Sequence, residues 1–238
     1  ARLDRKLHYK YLACPRRRPG FANAAGTPIN VPLFDRAVCI NLNRRKDRWD
    51  RFEGNTRNLS CLPPIVRVAA IEGDMIPKPH GWNHGSGTYG CRQSHMRVLE
   101  DAMMAGEHSV LIFEDDAYFP PDFPEKFAAF LKEVPSDWDG LMLGGQHVGW
   151  EVDPPTQVSP GVLRCTNGQR THAFAVRGSY LRALYQEWAT KWGHVDHLMG
   201  PLHKKWKVYA PNRFLVGQYA GDSNISGKRN PINFWNSL

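Results

Sequence analysis

Residues 110–120, VLIFEDDAYFP, decide how this chain is read. Four apolar residues, Val110, Leu111, Ile112 and Phe113, run directly into three consecutive carboxylates, Glu114, Asp115 and Asp116, and then into the aromatic turn Tyr118-Phe119-Pro120-Pro121. A short continuous apolar run reads as a strand buried on both faces, and in open α/β sheets ligands gather at the carboxyl ends of such strands. Three adjacent acids repel one another unless a cation sits among them. The stretch therefore predicts a divalent-metal site that holds an anionic, phosphorylated substrate. The competing reading is an exposed acidic turn, the commoner fate of acidic side chains; the hydrophobic strand abutting the acids favours the metal.

Outward from this stretch, the 238 residues are 42% hydrophobic, enough to bury a sizeable core. Residues 1–34 form a basic, irregular N-terminal arm, with Arg16-Arg17-Arg18 set among Pro15, Pro19 and Gly20, and 35–238 a single α/β domain. The arm reads as a surface drape or, less favoured, as an electrostatic tether to membrane or nucleic acid. A formal net charge of +8 calls for an anionic partner such as a nucleotide, a lipid head group or a nucleic acid. A nucleic-acid module is not favoured, because it leaves the acidic tip facing a polyanion. The five cysteines are scattered and contain no CxxC pair, which argues against a disulfide framework and a structural zinc and favours a reducing cytosol. No apolar run approaches the roughly 20 residues that span a bilayer, so we expect a cytoplasmic protein with at most peripheral membrane contact.

Along the chain, 36–42 (RAVCINL) is the first strand. It is followed by Asn43, Arg44, Arg45, Lys46, Asp47 and Arg48 at the start of a short helix, a placement suited to gripping a diphosphate. A second strand over 65–71 leads into a long loop over 72–89, whose His80 and His84 read as ordinary loop histidines. The periodicity of His95, Val98, Leu99, Ala102 and Met103 predicts a helix over 90–105, stopped by Gly106. Strand, helix, strand is the βαβ order of a parallel sheet. Beyond the acids come a helix with Phe127, Phe130, Leu131 and Val134 inward, a strand over 139–143, and then Gly144-Gly145, where backbone could approach a ligand closely. Proline-broken loop, edge strand or hairpin follows over 146–166, a strand over 171–176, an amphipathic helix over 178–192, a strand over 207–210, and a polar tail carrying Gln218, Asp222, Ser223 and Ser226.

Taken together and in order, RAVCINL with NRRKDRW, GCRQSHMRVLEDAM, VLIFEDDAYFP, DWDGLMLGG, THAFAVRGSYL, HVDH and QYAGDSNIS closely resemble the family 25 glycosyltransferases, which include bacterial lipooligosaccharide galactosyltransferases and the collagen galactosyltransferase domain. The resemblance runs from about Ala37 to about Ser226. It implies a GT-A-like nucleotide-sugar-binding fold with a mixed, mostly parallel central sheet flanked by helices. It also implies Mn²⁺ or another divalent ion, a UDP-sugar donor, most often UDP-galactose, and inversion at the anomeric carbon. By position, Glu114, Asp115 and Asp116 look like the family's metal-binding motif, with Asp116 the direct ligand. Asn41, Arg44, Arg45 and Arg48 match the nucleotide side, Ser94 and His95 the helix flanking the donor, and Asp196 the late acidic position. Asn43 and Asn224 stand where the family has Asp, which touches donor preference more than metal binding.

This resemblance implies a hexosyltransferase that moves galactose to a hydroxyl of a saccharide or glycoconjugate, as in lipopolysaccharide biosynthesis. The leaving diphosphate is stabilised by the metal and by Arg44, Arg45 or Arg48, with Gly144, Gly145 and Gln218 around the donor. Asp196, flanked by His194 and His197, is the candidate base for the acceptor hydroxyl; the bland alternatives are a helix-terminal surface acid for Asp196 and a backbone-bonded core histidine for His95. A metal-dependent hydrolase of a phosphorylated substrate, using Glu114, Asp116, Asp196 and His197, is the rival from another class. A transferase with an anionic acceptor, such as modified DNA, is a third reading.

Overall fold

The structure is a computed structural model that describes residues 33–222 and the backbone of three short strands outside that range. The chain divides into two compact units, Ala1–Pro32 and Leu33–Leu238. In the first, β1 (Phe21–Ala22) pairs antiparallel with β2 (Pro28–Ile29). The Arg16-Arg17-Arg18 cluster lies outside the described residues, as do Ser223, Asn224 and Ser226 of the tail.

The second unit begins with β3 (Arg36–Asn41), α1 (Lys46–Thr56), β4 (Ile65–Ala69), α2 (Ser86–Met104), β5 (Ser109–Glu114), β6 (Ala117–Tyr118) and α3 (Phe123–Glu133). It continues with β7 (Gly140–Met142), β8 (Gln146–His147), β9 (Thr156–Ser159), β10 (Val162–Arg164), β11 (Gly168–Gln169) and β12 (Ala173–Arg177). Last come α4 (Gly178–Thr190), α5 (Val195–Met199), β13 (Val208–Pro211), β14 (Gly217–Gln218), β15 (Gly221–Asp222) and β16 (Arg229–Asn230). Eight strands form the central sheet in the order β4-β3-β5-β12-β7-β13-β10-β9. The sheet is mixed and flanked by helices, as the sequence predicts. Only β12 and β10 run against the rest, so six of the eight strands share one direction; because the two reversed strands are interleaved, the parallel neighbours are β3 with β4, β3 with β5, and β7 with β13.

Strand alternation splits the core into two layers. Leu111 and Phe113 of β5 face Phe52 of α1 and Phe123, Phe127 and Phe130 of α3. Val110 and Ile112 face Val98, Leu99 and Ala102 of α2 and Leu181, Leu184 and Trp188 of α4. These side chains are almost wholly buried, and the valines, leucines, isoleucine and phenylalanines among them each contribute about 1.5–3 kcal/mol of transfer free energy. That is why the apolar run of β5 needs no polar alternation.

Several boundaries differ from expectation for identifiable reasons. Helix α2 starts at Ser86 rather than Gly90, so the glycine-rich end of the predicted loop is helical. A Cβ on Gly90 would lie 2.4 Å from the Ile71 carbonyl oxygen, and one on Gly73 would lie 1.8 Å from that of Ser86. The glycines are there for close packing between segments, not to break a helix. Strand β4 ends at Ala69, and the Ile71 amide donates to Ser94 Oγ (2.8 Å) instead of to a strand. Residues 146–166 contain the hairpin of β9 and β10, with an irregularity in register between Val162 and Leu163.

Because β12 is antiparallel, its entry residues lie at the same sheet edge as the exits of β3 and β5. Register places Ala173 opposite Phe113, and the Glu114 amide donates to the His172 carbonyl (3.0 Å). The pairing of β14 with β6 brings Gln218 opposite Ala117. The candidate site stands on this edge.

Candidate functional site

The three acids diverge across the end of β5 and the turn that follows it. Asp115 follows Phe113 onto the α1 face. Its Oδ2 accepts from Asn41 Nδ2 (2.7 Å) and its Oδ1 from Arg48 Nη1 (3.0 Å), with both charged side chains only 8% exposed. Asn41 in turn accepts from Arg67 Nε (2.8 Å), and Arg67 reaches Asn43 Oδ1 (3.0 Å). Burial, then the charge of Asp116, pushes the Asp115 carboxyl up, against the pull of Arg48. Asp115 is thus spent on holding Arg48 and the end of β3.

Glu114 turns to the α2 face. Thr171 Oγ1 donates to its Oε1 (2.6 Å), and His95 Nε2 lies 3.5 Å from the same oxygen. Burial, then Asp116, raises its carboxyl to about 8. Asp116 stays at the mouth: Gln218 Nε2 donates to its Oδ1 (3.3 Å), and Arg48 Nη1 stands 3.7 Å from its Oδ2. Of the three it is the carboxylate held by the longest contacts. Upward shifts on both neighbours are what mutual repulsion at a partly desolvated edge produces, and a bound dication would relieve them.

From the basic stretch after β3, Arg48 is the residue that pairs with the acids. Arg44 Nε pairs instead with Glu72 Oε2 (3.3 Å), and Arg45 makes a two-point contact with Asp47 (2.9 and 2.7 Å), holding that carboxyl down at about 2. Ser94 Oγ donates to the Gly90 carbonyl (2.7 Å) while accepting from Ile71, so it clamps α2 to the segment after β4. At Gly144 a Cβ would lie 2.2 Å from His172 Nε2, and at Gly145 one would lie 2.9 Å from the Gln169 carbonyl oxygen. At both positions a side chain would meet the protein itself, so the missing Cβ serves local packing. Asn43 lines a cleft of about 410 Å³ with Lys46, Trp49, Asp50 and Arg67, just outside the Asn41–Asp115 contact.

Asp196 lies in the first turn of α5, a separate short helix set off from α4 by Gly193 at φ 149°. Its Oδ1 accepts from the His197 amide (2.9 Å), with His197 Nε2 4.0 Å away. Its charge reaches Glu114, His95 and Arg170, which puts it on the same edge as the acidic tip. Among the described residues, the group whose ligand atoms converge within 4.8 Å is Cys91, His95 and Glu114; neither the expected metal set Glu114, Asp115 and Asp116 nor the hydrolase set Glu114, Asp116, Asp196 and His197 is such a group.

Sequence reading misses Arg170, Gln146 and Thr171. Arg170 is the one described non-glycine residue at positive φ, 75°. Its Nε and Nη2 both donate to Gln146 Oε1 (3.2 and 2.9 Å) and its Nη1 to Gln218 Oε1 (3.4 Å). Accepting from Arg170 fixes the Gln218 amide so that its NH₂ faces Asp116. Left-handed backbone at an arginine costs about 1–2 kcal/mol and persists where the surroundings hold it, often at functional sites. Nothing in the local sequence NGQRTHA signals this conformation.

Comparison with known proteins adds a separate line. Residues 35–158 match the model of glycosyltransferase family 25 (LPS biosynthesis protein). The human inactive glycosyltransferase 25 family member 3 is 27% identical over 171 residues, covering 63% of this chain and 28% of that protein. The zebrafish procollagen galactosyltransferase 1 is 28% identical over 147 residues, covering 54% of this chain and 24% of that protein. The chain therefore spans about a quarter of the length of these curated relatives. A glycosyltransferase involved in glycosylation of the major capsid of PBCV-1 superposes with a TM-score of 0.38 at 8% identity, covering 64% of each chain, too loose a likeness to carry an argument.

Proposed function

Since this chain belongs to glycosyltransferase family 25, we propose that it transfers a hexose, galactose foremost, from a UDP-sugar to a hydroxyl of a saccharide or glycoconjugate acceptor, with inversion. Matched relatives include both an inactive member and a galactosyltransferase at similar identity, so likeness alone does not decide activity. The observation that carries the proposal is the division of labour at the acidic tip: Asp115 is consumed in fixing Arg48, and Asp116 is presented beside that arginine.

The residues fit a divalent ion of the Mg²⁺ or Mn²⁺ class in one form, with Asp116 as protein ligand and donor phosphates completing the shell. Such an ion would supply Lewis-acid stabilisation of the leaving diphosphate. Arg48 stands ready as a fixed cation, its orientation set in advance by the buried contact with Asp115, and Arg170 lies on the other side of Asp116 through Gln218. The cleft bounded by Trp49, Arg67 and Lys46 suits the nucleoside, with an aromatic face and two cations. Asp196 takes the acceptor proton. Around it the rings of His84 and His194 (5.9 Å) and of Trp82 and Trp192 (6.3 Å) offer a surface for the apolar faces of a sugar. With a net charge of +8, an anionic acceptor would bind with marked salt dependence.

Thermal-shift measurements with UDP-galactose, UDP-glucose and UDP, each with and without Mn²⁺, test the donor side. We expect a metal-dependent rise in Tm for UDP ligands; no shift with any of them would sink the reading. Asp196→Asn is expected to keep that shift and to lose transfer by about 10²-fold or more. An unchanged turnover would return Asp196 to a helix-terminal surface role.

A further inference from the structure

We propose that Cys91, His95 and Glu114 form a cation site for a soft divalent ion of the zinc class, distinct from the ion assigned to Asp116. Cys91 and His95 are one turn apart on α2, and Glu114 reaches them from the tip of β5. One ligand atom from each lies within 4.8 Å of the others. Cys91 Sγ is 3.6 Å from His95 Nδ1, and Glu114 Oε1 is 3.5 Å from His95 Nε2.

The second observation comes from the imidazole itself. His95 is 1% exposed, and its Nδ1 lies 3.0 Å from the Cys91 carbonyl oxygen, the backbone bond that fixes a metal-binding histidine with its other nitrogen free. That other nitrogen, Nε2, is buried and has no hydrogen-bond partner of standard geometry, although it points at Glu114 and the Thr171 backbone. A buried ring nitrogen in this state is costly unless something takes its lone pair.

The donor set selects the ion. One thiolate, one imidazole and one carboxylate suit zinc better than the oxygen-seeking Mg²⁺ or Mn²⁺, and three protein ligands leave a fourth position open. Binding displaces the thiol proton of Cys91 and any proton on Glu114, so the dication ends neutralised by one thiolate and one carboxylate. A net-neutral centre is tolerable at this depth, where an isolated charge would not be. Glu114 keeps 22% of its side chain exposed, which gives the ion a way in. The site would tie α2 to the tip of β5, behind Asp116. It uses Cys91-x₃-His95 on one helix face, a spacing that a search for paired cysteines passes over.

The test is a cobalt titration of the reduced, chelator-stripped full chain, with no nucleotide present. One equivalent of Co²⁺ should give tetrahedral visible bands and a thiolate-to-metal band in the near ultraviolet, both displaced by Zn²⁺, with release of the thiol proton. Cys91→Ser should lose the near-ultraviolet band and bind about 10- to 100-fold more weakly. Glu114→Gln should weaken binding while keeping the band, which covers the case in which the cysteine variant fails to fold. Absence of the band in the parent chain, or its survival at full intensity in Cys91→Ser, would overturn the site. UDP binding on the same samples is read separately, so this proposal and the transferase reading fail independently.

Discussion

At the residue scale, Asp115 and Asp116 share a peptide bond but not a task. Removing Asp115 takes from the buried Arg48 the nearer of its two carboxylates, which costs on the order of 1–3 kcal/mol. The carboxylate of Asp116 is held, among the described residues, by longer contacts of 3.3 and 3.7 Å. We therefore expect Asp115→Ala to lower the urea midpoint strongly and Asp116→Ala to leave it nearly unchanged while abolishing metal-dependent transfer. Equal stability losses in the two variants would refute the division of labour. Arg170 allows a second separation, because its side chain and its backbone make different demands. Arg170→Gly should be more stable than Arg170→Ala by about 1 kcal/mol, since only the alanine keeps a Cβ in left-handed backbone. Both should lose transfer by about 10²-fold if the guanidinium stabilises charge in the reaction. The lesson for Ser94, Arg44 and Arg45 is the reverse: motif position nominated them, but their partners are Gly90 and Ile71, Glu72, and Asp47.

At the scale of elements, the start of α2 is set by contact rather than by propensity. Glycine inside a helix costs about 1 kcal/mol relative to alanine, so Gly90→Ala would stabilise an isolated helix. Here the new methyl would meet the Ile71 carbonyl at 2.4 Å and the Gly73 amide at 2.7 Å. We expect a net loss of about 1–3 kcal/mol in chemical denaturation, the cost typical of overpacking, and a gain in stability would show that the segment yields freely. The strands β3, β5 and β12 are legible in the sequence because their signal is local: each is an apolar run buried on both faces. The start of α2 and the independence of α5 from α4 are not legible there, since the first depends on Gly73 and the second on Gly193, whose positive φ no periodicity reports.

For the whole molecule, the buried histidines His95, His147, His172 and His203 make the fold sensitive to acid, while the raised carboxyl of Glu114 works in the opposite sense over part of the same range. Burial pushes His147 and His172 from 6.5 down to about 4, and His203 to about 3. Each is neutral when folded and takes up a proton on unfolding. The stability they permit is full above about 6.5 and is lost as pH falls through that value toward 4. Urea midpoints should fall over that window, and more shallowly in His203→Gln, whose side-chain oxygen can still accept from the Gly168 amide as His203 Nδ1 does. A pH slope in His203→Gln as steep as in the parent would contradict this. By itself, the sequence determined the alternation of strands and helices, the mixed sheet and the family, because burial periodicity and an ordered set of motifs are written along the chain. It also put three acids at one strand tip. Only the tertiary structure decided their roles, since successive side chains point to opposite faces and the groups that meet them, Arg48, Thr171, His95 and Gln218, arrive from segments distant in sequence.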